Sequence, residues 1–253
     1  MRVSFLTSVV DGPIFLQQML ASIAVQTYTN LELVLVIDKP TDRSTERALI
    51  EVATRYRKKF KLILLLNDLR LGLTASLNRA AAAATGTILV RIDADDQCMP
   101  DRISVILPYF ENGFHLVGNA TKLKNSIGQT VGVYPTSELS HANTYQRLTN
   151  LQRVAAHSGL AFSRVLFDRI GGYDTRYRFS QDYDFMLRAL EVTSDEDFVI
   201  LAAQLSVVTL HSAAISQSSN REAQLLCQLE ALIRFRHRAA HNGEDDCDHN
   251  IQH

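Results

Sequence analysis

The sequence has few cysteines, no long apolar run and almost no net charge. Its three cysteines, Cys98, Cys227 and Cys247, have no metal-type spacing. No apolar stretch approaches about 18 residues, so we expect no transmembrane helix. The formal net charge of −1 comes from interspersed acids and bases, which gives no clustered basic face for nucleic acid. These features favour a cytoplasmic protein that does not bind nucleic acid.

What the chain does contain is a regular alternation of strand and helix patterns. Its 253 residues suffice for one large α/β domain. The N-terminus begins with a strand-like segment rather than a signal peptide, and no linker or internal repeat divides the chain. Alternating strands and helices predict a mainly parallel central sheet flanked by helices. Strands are predicted near 2–8, 31–37, 61–66 and 87–93, and helices near 13–26, 42–58, 72–84 and 101–111.

The second half has a looser pattern. It predicts a hairpin over 122–134, strands near 159–163 and 205–210, a helix near 181–191 and a final helix over 220–240. The polar, aperiodic stretch from Asn242 to His253 predicts a disordered tail.

The most informative segment is Asp93-Ala94-Asp95-Asp96, which follows the apolar run Thr87–Val90. Such a run is typical of a buried parallel strand, and its carboxyl end faces the crevice where α/β sheets bind ligands. Crowded carboxylates favour a hard cation such as Mg²⁺ or Mn²⁺, shared with substrate phosphates. The alternative is a solvated acidic turn before a helix that begins near Pro100-Asp101.

The acidic segment, together with other motifs, resembles the signature of family-2 glycosyltransferases with the GT-A fold. The resemblance runs from about Val3 to about Ser216, and its motifs occur in the family's order. They are Ser22-Ile23 with Gln26-Thr27-Tyr28; Leu33 to Asp38; Asn67 with Gly72, Ala75 and Asn78; Asp93 to Asp96 with Pro100-Asp101-Arg102; Gly171 to Asp174; and Gln181 to Asp184 with Leu187-Arg188.

The resemblance implies one GT-A domain, Rossmann-like, over 1–240. Residues 1–97 would form the donor half, 98–215 the acceptor half and 216–240 a C-terminal helix, with 241–253 as the tail. It implies an inverting, metal-dependent enzyme that uses Mn²⁺ or Mg²⁺. The donor would be a nucleotide sugar, UDP-linked by expectation, and the acceptor a hydroxyl of a glycan or lipid-linked molecule in surface polysaccharide synthesis. A lipid-linked acceptor would bring the protein to the inner face of the membrane as a peripheral protein.

Several residues are expected to bind the nucleotide. The backbone after the first strand, at Thr7, Val9 and Asp11, can hydrogen-bond a base. The resemblance places Asp38 at the imide N–H of a uracil-like base, although Asp38 also fits a turn or helix cap. Lys39 stands where the family commonly has a second acid, so it faces either phosphate or solvent. The same resemblance implies that Asn67, Asp93 and Ala94 also contact the nucleotide.

The resemblance also assigns the metal ligands. It places Asp95 on the metal and His211 near the metal or diphosphate, although a lone histidine after a strand is also an ordinary feature. Asp96 is expected in the metal's outer shell or on the acceptor side.

The expected general base is Asp182, at the position of the family's Glu-Asp pair. A carboxylate there can take the proton of a sugar hydroxyl as the new bond forms, and the alternative is an acid that stabilises a helix N-terminus. Asp184 is the second choice for the base and, with His157, a candidate for the sugar pocket. Gln181 departs from the family's Glu. Arg102 and Arg188 are expected to be buried ion-pair partners.

Two other functions remain open from the sequence. A nucleotidyltransferase would use a similar sheet and metal, but it usually has a basic glycine-rich loop after the first strand, and Ser8 to Pro13 contains no Lys or Arg. A non-catalytic nucleotide-sugar-binding module is compatible with the departures at Lys39 and Gln181.

Overall fold

The computed structural model describes residues 1–210 and 220–248, with side chains of the last helix up to residue 240. The strands are β1 Val3–Val9, β2 Leu31–Ile37, β3 Lys61–Leu66, β4 Ile88–Arg91, β5 Gln97–Cys98, β6 Leu116–Lys124, β7 Thr130–Tyr134, β8 Leu160–Ser163 and β9 Phe198–Thr209. The helices are α1 Pro13–Ala24, α2 Arg43–Thr54, α3 Leu73–Ala83, α4 Arg102–Glu111, α5 His141–Thr149, α6 Arg164–Arg169, α7 Gln181–Leu190 and α8 Arg221–Asp248. No helix in the described part of the chain is both long enough and apolar enough to cross a bilayer.

One sheet runs through the molecule in the order β3-β2-β1-β4-β8-β6-β9-β5, and β7 pairs with β6. The first four strands are parallel, as predicted. Strand β8 is antiparallel to both β4 and β6, whereas β9 runs parallel to β6. The α/β class is therefore confirmed, but the sheet is mixed rather than mainly parallel. A short apolar run has the same composition in either orientation, so the sequence pattern does not reveal the reversal at β8.

Helices cover both faces of the sheet because its central strands are apolar on both sides. Leu6 of β1 packs in one core cluster with Leu77 of α3. The next residue back, Phe5, packs in the other cluster with Leu16 of α1. This alternation places α1 and α3 on opposite faces. Because β1 lies between β2 and β4 and is parallel to both, the loops that follow these three strands meet at one sheet edge.

Several boundaries differ from those predicted. Strand β9 begins at Phe198, well before the predicted 205, whereas α8 begins at Arg221, within a residue of the predicted 220. Helix α8 continues past the predicted end at 240 to Asp248, into the stretch expected to form a tail, while residues 249–253 lie outside the described residues. A helix that is already nucleated adds residues without needing an apolar face. The short helices α5 and α6 were not predicted, because so few residues carry little periodicity.

A buried carboxylate joins neighbouring strands at the end of the sheet opposite the acidic segment. Glu32 in β2 is fully buried and accepts hydrogen bonds from Ser4 Oγ (2.6 Å), Lys61 Nζ (2.9 Å), Thr85 Oγ1 (2.7 Å) and Gly86 N (3.1 Å). Burial alone would raise the pKa of Glu32, but the hydrogen bonds from Ser4, Thr85 and Lys61 outweigh it and lower the pKa to about 2. The ionised form is thus the one that the fold stabilises.

We expect Glu32→Gln to lower the free energy of unfolding at pH 7 by about 2 kcal/mol, because it removes the charge that these donors bind. The folded pKa lies below the ordinary 4.5. The stabilisation is therefore complete above pH 4.5 and is lost as the pH falls towards 2, so the variant should be less sensitive to acid in that window. Urea unfolding at pH 7 and pH 3 measures both effects. Glu51→Gln removes an exposed ion pair with Arg55 and should change stability by less than about 0.5 kcal/mol. Equal urea midpoints for the Glu32 variant and the parent at pH 7 would contradict the expectation.

Candidate active site

A cavity of about 820 Å³ opens at the sheet edge where β1, β2 and β4 end. Five segments contribute most of the lining residues that bear on the site. They are Ser8 to Gly12 after β1, Asp93 to Asp96 after β4, Gln152 to Ser158 before β8, Arg178 to Tyr183 at the start of α7, and Asn220, Gln224 and Gln228 at the start of α8. The cavity therefore joins the acidic segment to the helix that carries the predicted base.

A fully buried arginine holds the first acid of the cluster. Arg91, the last residue of β4, donates to the backbone oxygens of Leu6 (3.2 Å) and Ile92 and forms an ion pair with Asp93. Burial would raise the pKa of Asp93, but the charge of Arg91 and the hydrogen bonds from Ser158 and Arg91 are among the contributions that together hold that pKa below its usual value. The carboxylate of Asp93 is therefore ionised and held in one orientation by Arg91, and it is partly exposed to the cavity.

The last acid of the cluster, Asp96, differs from Asp93 in its burial and in the direction of its pKa shift. Asp96 is buried and accepts a hydrogen bond from Ser158, whose hydroxyl also contacts Asp93 at 3.1 Å. Burial and the charges of Asp93 and Asp95 raise the pKa of Asp96 well above its usual value. Negative charge is therefore crowded at this point of the cavity, which a bound cation would relieve. The alternative of a merely solvated turn does not fit, because Asp96 is enclosed.

The donor set fits a divalent cation only in part. Asp95 is partly exposed and lines the cavity, and carboxylate oxygens suit Mg²⁺ or Mn²⁺. Within the described residues, no three potential ligands are grouped as a metal site. An ion held here would need oxygens from a substrate as well. The predicted ligand His211 lies outside the described residues.

His157 lines the cavity beside this cluster, and its Nε2 lies 2.9 Å from the hydroxyl of Tyr173. Burial and the nearby charge of Arg91 lower the pKa of His157 to about 3. The imidazole is therefore neutral near pH 7, so it can hydrogen-bond a ligand but does not supply a positive charge.

The predicted base, Asp182, lies in the first turn of α7 and lines the cavity. Its Oδ1 accepts a hydrogen bond from the backbone N–H of Tyr183 (3.0 Å). Burial, and to a smaller extent the charge of Asp93, raise the pKa of Asp182. A carboxylate with a raised pKa takes a proton more readily than an ordinary aspartate does. Asp182 and the acidic segment thus line one cavity.

Asp184 does not lie in this cavity, which corrects its assignment to the sugar pocket. It is buried, and its Oδ2 accepts from both Nε (2.9 Å) and Nη2 (2.6 Å) of Arg188. It lies two positions after Asp182, about 200° around the helix, so it faces the core. The predicted ion pair of Arg188 is thereby confirmed. Arg102 is buried as predicted but forms no ion pair with any described residue; it donates instead to the backbone oxygens of Arg91 and Leu160, both at 3.3 Å.

Asp38 lines the cavity but is occupied by protein donors. Its carboxylate accepts from Asn67 Nδ2 (2.7 Å), Leu71 N (2.8 Å) and Gly72 N (2.8 Å). Gly72 has φ 85° and ψ 169°, a conformation that is essentially restricted to glycine. The first role of Asp38 is therefore to hold the loop before α3, and only Oδ2 retains room for a further donor.

Two predicted nucleotide contacts are absent from the lining of the cavity. The amide of Asn67 is fully used by Asp38, Ser76 and Arg79. Thr7 is buried, and its hydroxyl donates to the backbone oxygen of Ile92. Thr7 is thus enclosed within the sheet between β1 and β4 rather than exposed to the cavity. The others in the predicted set do line the cavity: Val9, Asp11, Asp38, Asp93 and Ala94.

Sequence reasoning missed the basic and aromatic residues of the cavity. Arg70, Tyr134, Arg153 and Arg178 all line it. Burial raises the pKa of Tyr134 to about 12, although Arg153 beside it opposes the shift. These residues come from loops and a hairpin without a motif, so only the fold brings them together. Lys39 is exposed and lies outside the lining, which favours its contact with solvent.

Comparison with known families decides the class of the protein. The model of glycosyl transferase family 2 matches residues 9–171, more than half of the chain. The chain belongs to that family. An uncharacterized glycosyltransferase of Methanocaldococcus jannaschii is 26% identical over 198 residues, which cover 74% of this chain and 63% of that protein. The chain thus spans less than two thirds of the length of this relative.

Two further similarities are informative. The amylovoran biosynthesis glycosyltransferase AmsE of Erwinia amylovora is 35% identical over 102 residues, which cover 40% of this chain and 37% of AmsE. Among solved structures, S. aureus TarS 1-349 in complex with UDP-GlcNAc superposes with a TM-score of 0.69 at 17% identity. The superposition covers 90% of this chain and 64% of that one. This likeness confirms the GT-A fold of the family-2 chain.

Proposed function

We propose that this family-2 chain is an inverting glycosyltransferase that moves a sugar from a UDP-linked donor to a hydroxyl of an acceptor. The observation that carries the proposal is the meeting of two groups in one cavity. Asp93 to Asp96, at the end of β4, and Asp182, at the start of α7, line the same space. A transferase needs both a site for the departing diphosphate and a base for the attacking hydroxyl.

The donor is assigned to the end of the cavity formed by β1, β2 and β4. Backbone groups at Val9 and Asp11 can bind the base, and Asp38 Oδ2 can accept the imide N–H of uracil. The fold neighbour TarS was solved with UDP and with UDP-GlcNAc, which supports a uridine nucleotide here. Asp93 is the candidate for the ribose.

Asp95, together with oxygens of the donor diphosphate, would hold Mg²⁺ or Mn²⁺, and the ion would neutralise the charge of the departing diphosphate. His211 is the candidate second ligand. Asp96, enclosed behind Asp95, supports the shape of the site through Ser158.

Asp182 performs the proton transfer. Its carboxylate accepts the proton of the acceptor hydroxyl while that oxygen forms a bond to the anomeric carbon. The bond between this carbon and the diphosphate oxygen breaks, and its electron pair leaves with UDP. A single displacement of this kind inverts the anomeric centre. Neutral His157 can hydrogen-bond a sugar hydroxyl in the same cavity.

The acceptor is assigned as a glycan or lipid-linked molecule of surface polysaccharide synthesis, which the similarity to AmsE supports. Leu226, Leu229 and Ile233 are exposed on α8 and recur at a spacing that places them on one face of a helix. A bilayer interface can accept such an apolar face, which supports peripheral contact with the inner face of the membrane. A lipid-linked acceptor would be presented there.

The metal and nucleotide are tested by thermal stability. UDP with Mn²⁺ should raise the melting temperature of the parent protein, because a ligand that binds only the folded state stabilises it. ADP and GDP should raise it less, because neither base offers the imide N–H of uracil at the matching position. Asp95→Ala should abolish the Mn²⁺-dependent part of the shift and leave the melting temperature of the ligand-free protein unchanged.

The control is Asp195→Ala, which removes an exposed acid outside the cavity and should retain the full shift. An Asp95 variant with the parent's Mn²⁺-dependent shift would remove Asp95 from the metal site. Slow release of UDP from a UDP-sugar without acceptor would favour an enzyme over a binding module.

A further inference from the structure

Gln181 is a buried polar residue that lines the cavity. It is the first residue of α7 and is only 6% exposed, yet it lines the cavity beside Asp182. Among the described residues, none forms a hydrogen bond with its side-chain amide. An amide carries two donor hydrogens and an acceptor oxygen. These groups reach the cavity rather than another side chain of the described residues, so the position of the amide favours a polar ligand.

We propose that the amide of Gln181 hydrogen-bonds the sugar of the donor and contributes to the choice of that sugar. This inference rests on the proposed function, because it assumes a UDP-sugar in the cavity. A sugar hydroxyl or an N-acetyl group offers both kinds of partner that an amide needs. Gln181 thereby helps to select the donor sugar, while Asp182 accepts the proton of the acceptor hydroxyl.

Burial assigns the contact to the donor rather than to the acceptor. The acceptor must approach a donor that is already bound, so it occupies the more open part of the cavity. Gln181 is buried, whereas Asp182 is partly exposed. A side chain in this position meets the group that binds first and deepest.

The chemical identity of the side chain also supports a binding role. Six aspartates already line the cavity, and four of them, Asp93, Asp95, Asp96 and Asp182, belong to the acidic segment and the start of α7. A glutamate at 181 would add another charge beside the base and raise its pKa further. Glutamine keeps the length and the hydrogen-bonding capacity without the charge. It can also donate to an oxygen that carries no hydrogen, such as the carbonyl of an N-acetyl group, which a carboxylate would repel.

The test compares the affinity for UDP with that for UDP-sugars in Gln181→Met, which keeps the volume and removes the amide. Calorimetry with Mn²⁺ and a panel of UDP-hexoses and UDP-N-acetylhexosamines should show a preferred sugar for the parent. The variant should bind this UDP-sugar roughly tenfold more weakly, the effect of about 1.4 kcal/mol. Its affinity for UDP should stay within about twofold of the parent's, because UDP lacks the transferred sugar that Gln181 would contact.

Gln181→Ala provides a second variant with the same expected pattern, and thermal melting shows that each variant is folded. Gln146→Ala is the matched control, because Gln146 is an exposed helical glutamine outside this cavity and should leave both affinities unchanged. The inference is overturned if both Gln181 variants bind UDP-sugars as tightly as the parent does. It is also overturned if their affinity for UDP falls as much as their affinity for UDP-sugars. In either case the proposed function stands. A parent protein that binds neither UDP nor any UDP-sugar would overturn both.

Discussion

Asp182→Asn is expected to reduce sugar transfer by roughly 10²-fold or more, which is the usual scale for the loss of a general base. Asparagine keeps the shape and the hydrogen bond from Tyr183 N, but it cannot accept a proton near neutral pH. The affinity for UDP should change little, because the base acts on the acceptor hydroxyl. Measurement of transfer and of UDP binding with one donor separates the two effects.

The pH dependence gives a second readout for Asp182. Only the ionised carboxylate accepts a proton, and burial raises the pKa of Asp182 above that of an ordinary aspartate. Transfer should therefore rise with pH through this raised pKa, and the acid limb of the profile should lie above the range of an exposed aspartate. In Asp182→Asn, this limb should disappear from the residual activity.

Asp184→Asn is the matched control because the same chemical change is made two residues away. This variant loses the charged partner of Arg188 in a buried ion pair, so it should lower stability by several kcal/mol. Transfer per folded molecule should remain near the parent's. A result with the two roles exchanged, in which Asp184→Asn loses transfer and Asp182→Asn retains it, would reverse the assignment made from the cavity.

The comparison of Asp182 with Asp184 shows what the sequence can predict. The helix over 181–191 was predicted correctly within a residue. Which of its acids faces the cavity depends on how α7 is rotated against the sheet, and this rotation is set by the packing of Tyr183, Phe185 and Leu187 in the core. A motif gives the positions of the carboxylates, whereas tertiary packing decides which of them reaches the substrate.

The same distinction applies to the donor side. Strands β1 to β4 were predicted because apolar runs bounded by turns leave few alternatives. The side chains at their ends were harder to assign. Asp38 and Asn67 bind each other and the loop before α3, so a residue typical of a nucleotide contact can serve mainly to shape the loop. The partners of a polar residue come from distant segments, and one sequence does not contain that information.

Arg91 was not singled out from the sequence, because an arginine within an apolar strand has no motif of its own. The structure places it in the core at the end of β4, where it contacts Asp93 from behind the cavity lining. Its guanidinium joins the ends of β1 and β4 through backbone oxygens and neutralises Asp93. Arg102 lies in the same core, and burial lowers its pKa to about 10, but it forms no ion pair with any described residue. The two arginines thus form a natural pair for comparison.

Arg91→Met is expected to lower the free energy of unfolding by about 3 kcal/mol and to weaken UDP binding, because it leaves the carboxylate of Asp93 without its counter-charge. Arg102→Met removes a buried charge and two long hydrogen bonds at 3.3 Å, so it should cost no more than about 1 kcal/mol. Urea unfolding of both variants at pH 7 gives the comparison. The double variant Arg91→Met with Asp93→Asn should recover most of the stability, because no unpaired charge remains, but it should not recover UDP binding. If Arg91→Met is no more destabilising than Arg102→Met, or the double variant recovers nothing, the ion pair is not what organises this end of β4.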